Sequence, residues 1–312
     1  GQFYDIVEDL WLNQCLGKTI DTPLGPISYP PPERDIWETI YSDAMMKRLD
    51  QLFADAKKLA AREPVSLKRI AFIEKHLYGK VKAARNAYFN RKREIDDLLV
   101  EVIPVAGAKI AMDGSLSDGP WKNASSVVLV PLARGEKALV KTTVSTLWDD
   151  EYLYLGFDCK EPMVDRLTYI QRERDDTNVW TDSSVEIFLN PSGDRKTYYQ
   201  IIVNPAGCYS DTKISIDDNG KKHFDKTWQA NLDAKTKINK DGWSAEVRIP
   251  IAALTAKPVT PGKAMVVNFC RNRNVKNVTK AENQLYTWSP FLTAGFHQVD
   301  KFGSLRLVKK KP

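Results

Sequence analysis

Hydrophobic positions in the first hundred residues recur with a helical period. Over Ser42–Arg62 the apolar side chains return every three or four residues, as in an amphipathic helix, and Ser42 suits the N-cap. A second series, Leu67–Val102, keeps this spacing, and no proline interrupts it between Pro64 and Pro104. The pattern predicts two long helices, paired as an antiparallel hairpin or small bundle, in a helical domain over residues 1–104.

The segment ahead of these helices combines a short helical pattern with a run of prolines. Residues Phe3–Leu16 fit a further helix, whereas the prolines that follow predict an extended connection, because proline lacks the N–H that a helix interior needs. These prolines are Pro23, Pro26, Pro30, Pro31 and Pro32.

After Pro104 the helical period gives way to short runs of β-branched and aromatic residues. In Trp243–Ile249 the alternation is regular, which predicts that the odd positions face the interior and the even positions face solvent. Strands without intervening helices predict an antiparallel β-sandwich over residues 105–312. The predicted strands are Ala138–Leu147, Tyr152–Cys159, Val185–Asn190, Tyr198–Asn204, Trp243–Ile249, Met265–Asn272 and Leu305–Val308.

Composition and charge exclude several classes of protein. The 46 lysines and arginines exceed the 40 acidic residues by six, which is too weak a bias to indicate a nucleic-acid partner. No apolar run approaches the ~18–20 residues of a membrane span. Because Gly1 begins the chain without a methionine or a leader, we expect a trimmed or mature fragment.

The four cysteines lie far apart and show no zinc-ligand spacing. Their even number permits disulfides if the protein is exported, but Cys159 and Cys270 fall in apolar strand patterns, which favours buried free thiols. The sequence also lacks a nucleophile elbow, a phosphate-binding glycine loop, an HExxH motif and a dinucleotide fingerprint. Acidic runs such as Asp149–Glu151 are typical of solvated turns, so we expect no catalytic residue in this chain.

One tryptophan has the setting of a sugar-binding platform. Sugars are held by stacking an aromatic ring on their C–H face and by hydrogen bonds to their hydroxyls. Trp180 lies in a hydrophilic stretch just before the strand that begins at Val185. On that strand Val185, Ile187 and Leu189 share one face, so Glu186 is predicted to point to the other face.

Four motifs, in order, carry a family resemblance. They are Met112–Trp121 (MDGSLSDGPW), Leu147–Leu155 (LWDDEYLYL), Trp180–Leu189 (WTDSSVEIFL) and Lys301–Leu307 (KFGSLRL). This combination resembles carbohydrate-binding module family 9 and the related DOMON-like sandwiches. The resemblance implies an immunoglobulin-like sandwich over residues 106–310 that binds carbohydrate without catalysis.

The same resemblance implies a set of ligand-binding residues. Two aromatic rings clasp a sugar in the xylanase-associated members, and Trp180 and Phe296 match their positions. Glu186 matches the glutamate that binds sugar hydroxyls. An arginine and an asparagine of those members fall on Ile202 and Thr293, so Arg271 is the candidate for the missing cation. His297 is a further candidate, as a ligand contact or as a rim residue bonded to backbone.

The first hundred residues resemble, less specifically, the helical C-terminal end of bacterial glycoside-hydrolase-like proteins of the alpha-glucuronidase type. This likeness implies that the chain is the tail of a longer, exported bacterial protein that degrades polysaccharides. Its expected partners are an oligo- or polysaccharide and the catalytic domain of the same polypeptide. No cofactor is required. Calcium is common in the family, and Asp158 and the acidic turns offer oxygen ligands.

Two other functions stay open at this level. One is a structural or protein-interaction module with a degenerate sugar site. The evidence for it is that Ile202 and Thr293 replace the arginine and the asparagine of the xylanase-associated members. The other is a haem-binding electron-transfer domain of the DOMON-like kind, with Met163 and His297 as the candidate ligands.

Overall fold

The computed structural model describes residues 2–15, 19–22, 25–28, 31, 33–106, 109–117, 119–133, 135–218, 220–255 and 261–309. The predicted positions Pro23, Pro30 and Pro32 lie outside these ranges. By their contacts, the residues group into two compact units, Gly1–Arg93 and Glu94–Pro312.

The first unit is a short helical part that also contains a β-hairpin. Its helices are α1 (Gln2–Asp9), α2 (Asp43–Leu59), α3 (Pro64–Ile73) and α4 (Gly79–Asp96), of which the last three residues count with the second unit. Wider π-helical turns occupy Leu10–Cys15, Asp35–Ile40 and Glu74–Tyr78. The hairpin pairs β1 (Thr19–Thr22) with β2 (Gly25–Ser28).

Aromatic packing joins the helices of this unit. The ring of Tyr78 is fully buried and stacks on Phe53 at a centroid distance of 5.2 Å. Its hydroxyl donates to the Met46 carbonyl (3.0 Å) and to Asp50 Oδ1 (2.9 Å). At the start of α2 the Ser42 hydroxyl accepts from the Met45 amide, which confirms the predicted N-cap.

The predicted long-helix hairpin is wrong. The series from Leu67 to Val102 is divided by a π-helical turn, and α4 ends at Asp96. The residues that follow form a strand, because Val100 and Val102 alternate inward and pair with another strand. Spacing at i, i+4 alone does not distinguish that strand from one more helical turn.

The second unit is a large curled β-sheet with the character of a sandwich. Its strands are β3 (Leu99–Pro104), β4 (Ser125–Val128), β5 (Val130–Pro131), β6 (Thr142–Trp148), β7 (Tyr152–Lys160), β8 (Ser184–Asn190), β9 (Thr197–Val203), β10 (Tyr209–Ile216), β11 (Lys222–Asp225), β12 (Asp233–Asn239), β13 (Gly242–Pro250), β14 (Ala264–Asn272), β15 (Leu285–Thr287) and β16 (Gly303–Leu307), and one short helix, α5, spans Ile251–Leu254. All seven strands that the sequence predicts are present. The first begins four residues later than predicted, at Thr142, and the ends of the other six shift by no more than two residues.

Two layers of strands are connected through β3. One layer runs β11-β10-β9-β8-β14-β16 and the other runs β6-β7-β13-β12. Strand β3 pairs in parallel with β16 on one side and with β6 on the other, whereas the remaining pairs are antiparallel. The short strands β4, β5 and β15 add to this framework at β6 and β14.

Strand β8 separates an interior core from a second apolar cluster on the outer face of its layer. Val185, Ile187 and Leu189 belong to the interior core, which confirms the predicted alternation. Phe188 belongs to the outer cluster, together with Tyr198, Phe296 and Phe302. Glu186 has the parity of Phe188 and therefore lies on the outer face.

The prediction that the even face of Trp243–Ile249 meets solvent is wrong. Ser244 and Glu246 are both buried, because the segment around Gly114 covers this face. Glu246 accepts hydrogen bonds from the amides of Asp113 and Gly114 and from the indole of Trp121 (2.8 Å). The first family motif therefore closes one side of the sandwich.

The cysteines and the acidic turns have structural roles. Cys159 and Cys270 are buried free thiols, as predicted. The acidic turn is held by Asp149, whose carboxylate accepts from the Glu151 and Tyr152 amides and from the Tyr154 hydroxyl. Asp158, the candidate calcium ligand, pairs with Lys160 at 3.3 Å. Within the described ranges, no three acidic, histidine or cysteine side chains form a group that could hold a metal ion.

Candidate functional site

A pocket of about 530 Å³ opens on the outer face of the layer that contains β8, β9 and β10. Neighbouring strands contribute a row across the sheet, in which Glu186 pairs with Ile202 and Ile202 pairs with Ser210. Gln200 lies one pleat away on the same face. The walls come from the segment of Trp180, from strand β11 and from the segment of Phe296.

Trp180 presents an exposed ring on a fixed backbone. The residue lies in a single 3-10 turn, Val179–Thr181, and is 58% exposed. The Asn272 amide donates to the carbonyl of Trp180 at 2.8 Å. Asp182, two residues further on, receives a bidentate ion pair from Arg172 with both distances 3.1 Å. Because the backbone that carries the ring is already anchored, a ligand that stacks there does not have to order this segment.

Glu186 is a buried carboxyl group in the floor of the pocket. The residue is only 5% exposed, and burial raises the pKa of Glu186 to about 7. Its Oε2 accepts a hydrogen bond from the Gln200 amide at 2.8 Å, and this bond lowers the pKa, though by less than burial raises it. The two residues opposite Glu186 on the adjacent strands are Ile202 and Cys270, both uncharged.

Phe296 and His297 also line the pocket, but both side chains make most of their contacts with the protein itself. Phe296 is 8% exposed and packs in the outer cluster against Phe188. The Nδ1 of His297 lies 3.0 Å from the hydroxyl of Tyr198. Burial and the charge of Lys222 lower the pKa of His297 to about 4, so the ring is neutral at pH 7.

Arg271 lies outside the pocket. It pairs with Val185 across β8 and β14, so it shares the interior face and is fully buried. Its guanidinium donates to Thr142 (2.9 Å) and approaches Glu161 at 3.3 Å. Glu161 also binds Arg273, with its closest contact at 2.7 Å. Arg271 therefore belongs to a buried ion-pair cluster.

The structure brings into the pocket an aromatic side chain that the sequence reasoning missed. Phe224 on β11 lines the pocket, is 50% exposed and contacts His297 edge-on at a centroid distance of 5.6 Å. Gln200 was missed as well. Phe224 has hydrophilic neighbours in the sequence, so no strand is predicted there. Its position at the pocket results from the pairing of Phe224 with Ile214 on β10.

Two remaining candidates lie elsewhere. Thr293 is exposed, and its hydroxyl is 3.1 Å from Gln298 Oε1. Met163 packs against the interior core, whereas His297 contacts the outer cluster through Phe188. The two haem candidates are thus on different faces of the sheet.

The pocket combines exposed rings with hydrogen-bonding groups at its floor. Trp180 and Phe224 offer apolar faces, and Glu186, Gln200 and Ser210 offer polar atoms close by. Rings next to carboxylate and amide groups match the alternating C–H faces and hydroxyl edges of a sugar.

Known proteins resemble this unit in sequence. The family model described as carbohydrate family 9 binding domain-like matches residues 112–310. Endo-1,4-beta-xylanase A of Thermotoga neapolitana is 25% identical over 217 residues, and that of Thermotoga maritima is 26% identical over 217 residues. Each match covers 68% of this chain but only 18% of the xylanase.

Two solved structures align with about two thirds of this chain. A protein from Bacteroides uniformis described as carbohydrate-binding superimposes with a TM-score of 0.53 at 17% identity, over 67% of this chain and 98% of that one. A family 9 module from Caldicellulosiruptor kristjanssonii, solved with cellotriose, gives a TM-score of 0.45 at 21% identity over 68% and 95% of the two chains.

The matched family is one of non-catalytic carbohydrate-binding domains, which need no cofactor. In the described part of the chain, no helix has both the length and the hydropathy for crossing a bilayer. Because the family model covers residues 112–310, well over half of the sequence, the chain belongs to the carbohydrate family 9 binding domain-like proteins.

Proposed function

We propose that the pocket at Trp180 holds a glycan by aromatic stacking and hydrogen bonds. The observation that carries this proposal is a tryptophan, 58% exposed on an anchored backbone, beside the buried carboxyl group of Glu186. A large ring that a protein leaves in solvent at the mouth of a pocket is typical of a ligand platform. Phe224 supplies a second exposed face.

Within this proposal the predicted residues take different parts. Trp180 stacks on the sugar, and Glu186 accepts hydrogen bonds from its hydroxyls. Phe296 and His297 form the wall behind the ligand, since both are packed against Phe188. We leave Arg271 out of the ligand set because its guanidinium is fully buried and bound to Glu161.

The chain would serve as the targeting part of a larger, exported bacterial protein that degrades glycans. In the xylanases named above, the matched part is only 18% of the enzyme's length. This supports the proposal that the present chain also accompanies a catalytic domain. Binding one segment of a polysaccharide raises the effective concentration of its other segments at a tethered active site. We place the helical domain ahead of the binding domain. The sequence predicts the boundary at residue 104, and we move it to where the compact units divide, after Arg93, because strand β3 pairs within the sheet of the binding domain.

A tryptophan fluorescence titration against cellotriose and xylotriose tests the proposal. The test variant is Trp180→Ala, and the matched control is Trp11→Ala, which removes a ring of similar exposure (53%) from the first unit. We expect saturable binding to the wild type and to the control, and a loss of about tenfold or more in Trp180→Ala, as for an aromatic contact at the centre of a site.

Two outcomes would count against the proposal. Binding that survives unchanged in Trp180→Ala would move the site elsewhere. If the folded wild-type protein binds no oligosaccharide in a panel that includes amino sugars, the hypothesis of a structural or protein-interaction module replaces ours. The features that favour that hypothesis are Ile202 and Thr293, which stand where family members have an arginine and an asparagine.

A further inference from the structure

The carboxyl group of Glu186 lacks the cation that a buried acid normally has. Buried carboxylates are paired or fully hydrogen-bonded in folded proteins, because removal from water penalises the charge. Here Oε2 accepts one hydrogen bond, from the neutral amide of Gln200. No lysine, arginine or histidine among the described residues forms an ion pair with Glu186, and no positive charge offsets the effect of burial on its pKa.

The register of the strands explains why a cation is missing. Across β8 and β9 the residue opposite Glu186 is Ile202, and across β8 and β14 it is Cys270. Arg271, one residue further along β14, points to the other face and is held by Glu161. Of the described residues that line the pocket, Lys226 alone carries a permanent positive charge, and it is exposed.

The second oxygen of Glu186 is available to a ligand. Oε1 accepts no hydrogen bond from the described residues, and the side chain lines the pocket. Nearby, the Nδ2 of Asn272 is occupied by the carbonyls of Trp180 and Asp182, so this side chain offers only its oxygen to a ligand. The pocket thus presents acceptors, and among its carboxyl groups Glu186 has no counter-charge, whereas Asp175 and Asp211 each have the guanidinium of Arg174 nearby, at 3.5 and 3.9 Å.

On the basis of the proposed function, we infer that the ligand supplies the missing cation: the pocket prefers a basic amino sugar, with its ammonium group on Glu186, over a neutral sugar. An ammonium provides three donors and a positive charge, and hydrogen bonds between charged partners are roughly twice as strong as neutral ones. The ring of that sugar stacks on Trp180 as a neutral sugar would.

Three trisaccharides with the same β-1,4 backbone test this inference. They are cellotriose, the glucosamine trimer and the N-acetylglucosamine trimer, which carry a hydroxyl, an ammonium and a neutral amide at the same carbon. Calorimetric titrations at pH 6.5, with a chelator present, compare the wild type with Glu186→Gln, which keeps the shape and removes the charge. Glu173→Gln, at an exposed glutamate that does not line the pocket, is the control.

We expect the glucosamine trimer to bind the wild type and the control about fivefold more tightly than cellotriose, and the N-acetylated trimer to show no such gain. In Glu186→Gln the ratio should fall to about one. A wild type that binds cellotriose and the glucosamine trimer equally would overturn the inference and leave the proposed function standing. So would a preference that persists in Glu186→Gln. If none of the three trimers binds, both fail.

Discussion

Replacing Glu186 by glutamine should make the protein more stable at neutral and alkaline pH. The wild-type carboxyl group is buried with one amide as its partner, so folding disfavours its charged form. Glutamine resembles the protonated acid in shape and carries no charge. The substitution therefore removes the penalty of burying a carboxylate.

The magnitude follows from the shift in pKa. Folding raises the pKa of Glu186 from its ordinary value of 4.5 to about 7. Between these two values the folded state binds more protons than the unfolded state, so stability falls as pH rises through this window. A shift of that size corresponds to about 3 kcal/mol, at 1.36 kcal/mol for each pH unit. Above pH 7 the loss is complete, and below pH 4.5 it is absent.

Urea unfolding of the wild type and of Glu186→Gln at pH 4.5, 6 and 8 measures this effect. We expect similar free energies of unfolding at pH 4.5 and an advantage of about 3 kcal/mol for Glu186→Gln at pH 8. Using the difference between the variants cancels other groups that titrate, such as His297. Exposed Glu173→Gln should change little at any pH. An advantage that is absent at pH 8, or equal at all three pH values, would refute the reasoning.

Further predictions concern the exposed rings and the buried framework. Phe224→Ala should weaken cellotriose binding about threefold in calorimetry while its free energy of unfolding stays within about 0.5 kcal/mol of the wild type; unchanged affinity would remove Phe224 from the site. Glu161→Gln should lower the free energy of urea unfolding by about 3–5 kcal/mol, since it strips the counter-charge from two buried arginines, and a loss below about 1 kcal/mol would contradict that role. Gly114→Ala should lower the melting temperature, because Gly114 has φ +83° and an added Cβ would meet the Thr236 backbone at 2.5 Å; an unchanged melting temperature would contradict this packing.

Much of the second unit could be predicted from its sequence, because local patterns set its strands. The alternation at Val185, Ile187 and Leu189 was enough to assign Glu186 to the opposite face. Arg271 could have been assigned in the same way, since it has the parity of Val267 and Phe269 in the interior core. The resemblance to other family members suggested that Arg271 lies in the pocket, whereas its position in the strand alternation places it on the interior face.

Other features depend on contacts between distant segments, which a local pattern does not contain. Glu246 has the parity of a solvent-facing residue, and it is buried because the segment around Gly114 folds over it. Phe224 reaches the pocket through a four-residue edge strand with a mostly polar sequence. The strand that contains Val100 forms by parallel pairing with Leu305, 205 residues further along the chain.

The central claim is that a glycan stacks on Trp180, and an NMR titration of the tryptophan indole N–H signals with cellotriose tests it most directly. The chain has eight tryptophans, and Trp180→Phe identifies the signal of Trp180. We predict that this signal shifts saturably while that of the buried Trp243 stays in place. Saturable shifts that leave the Trp180 signal unmoved would contradict the account.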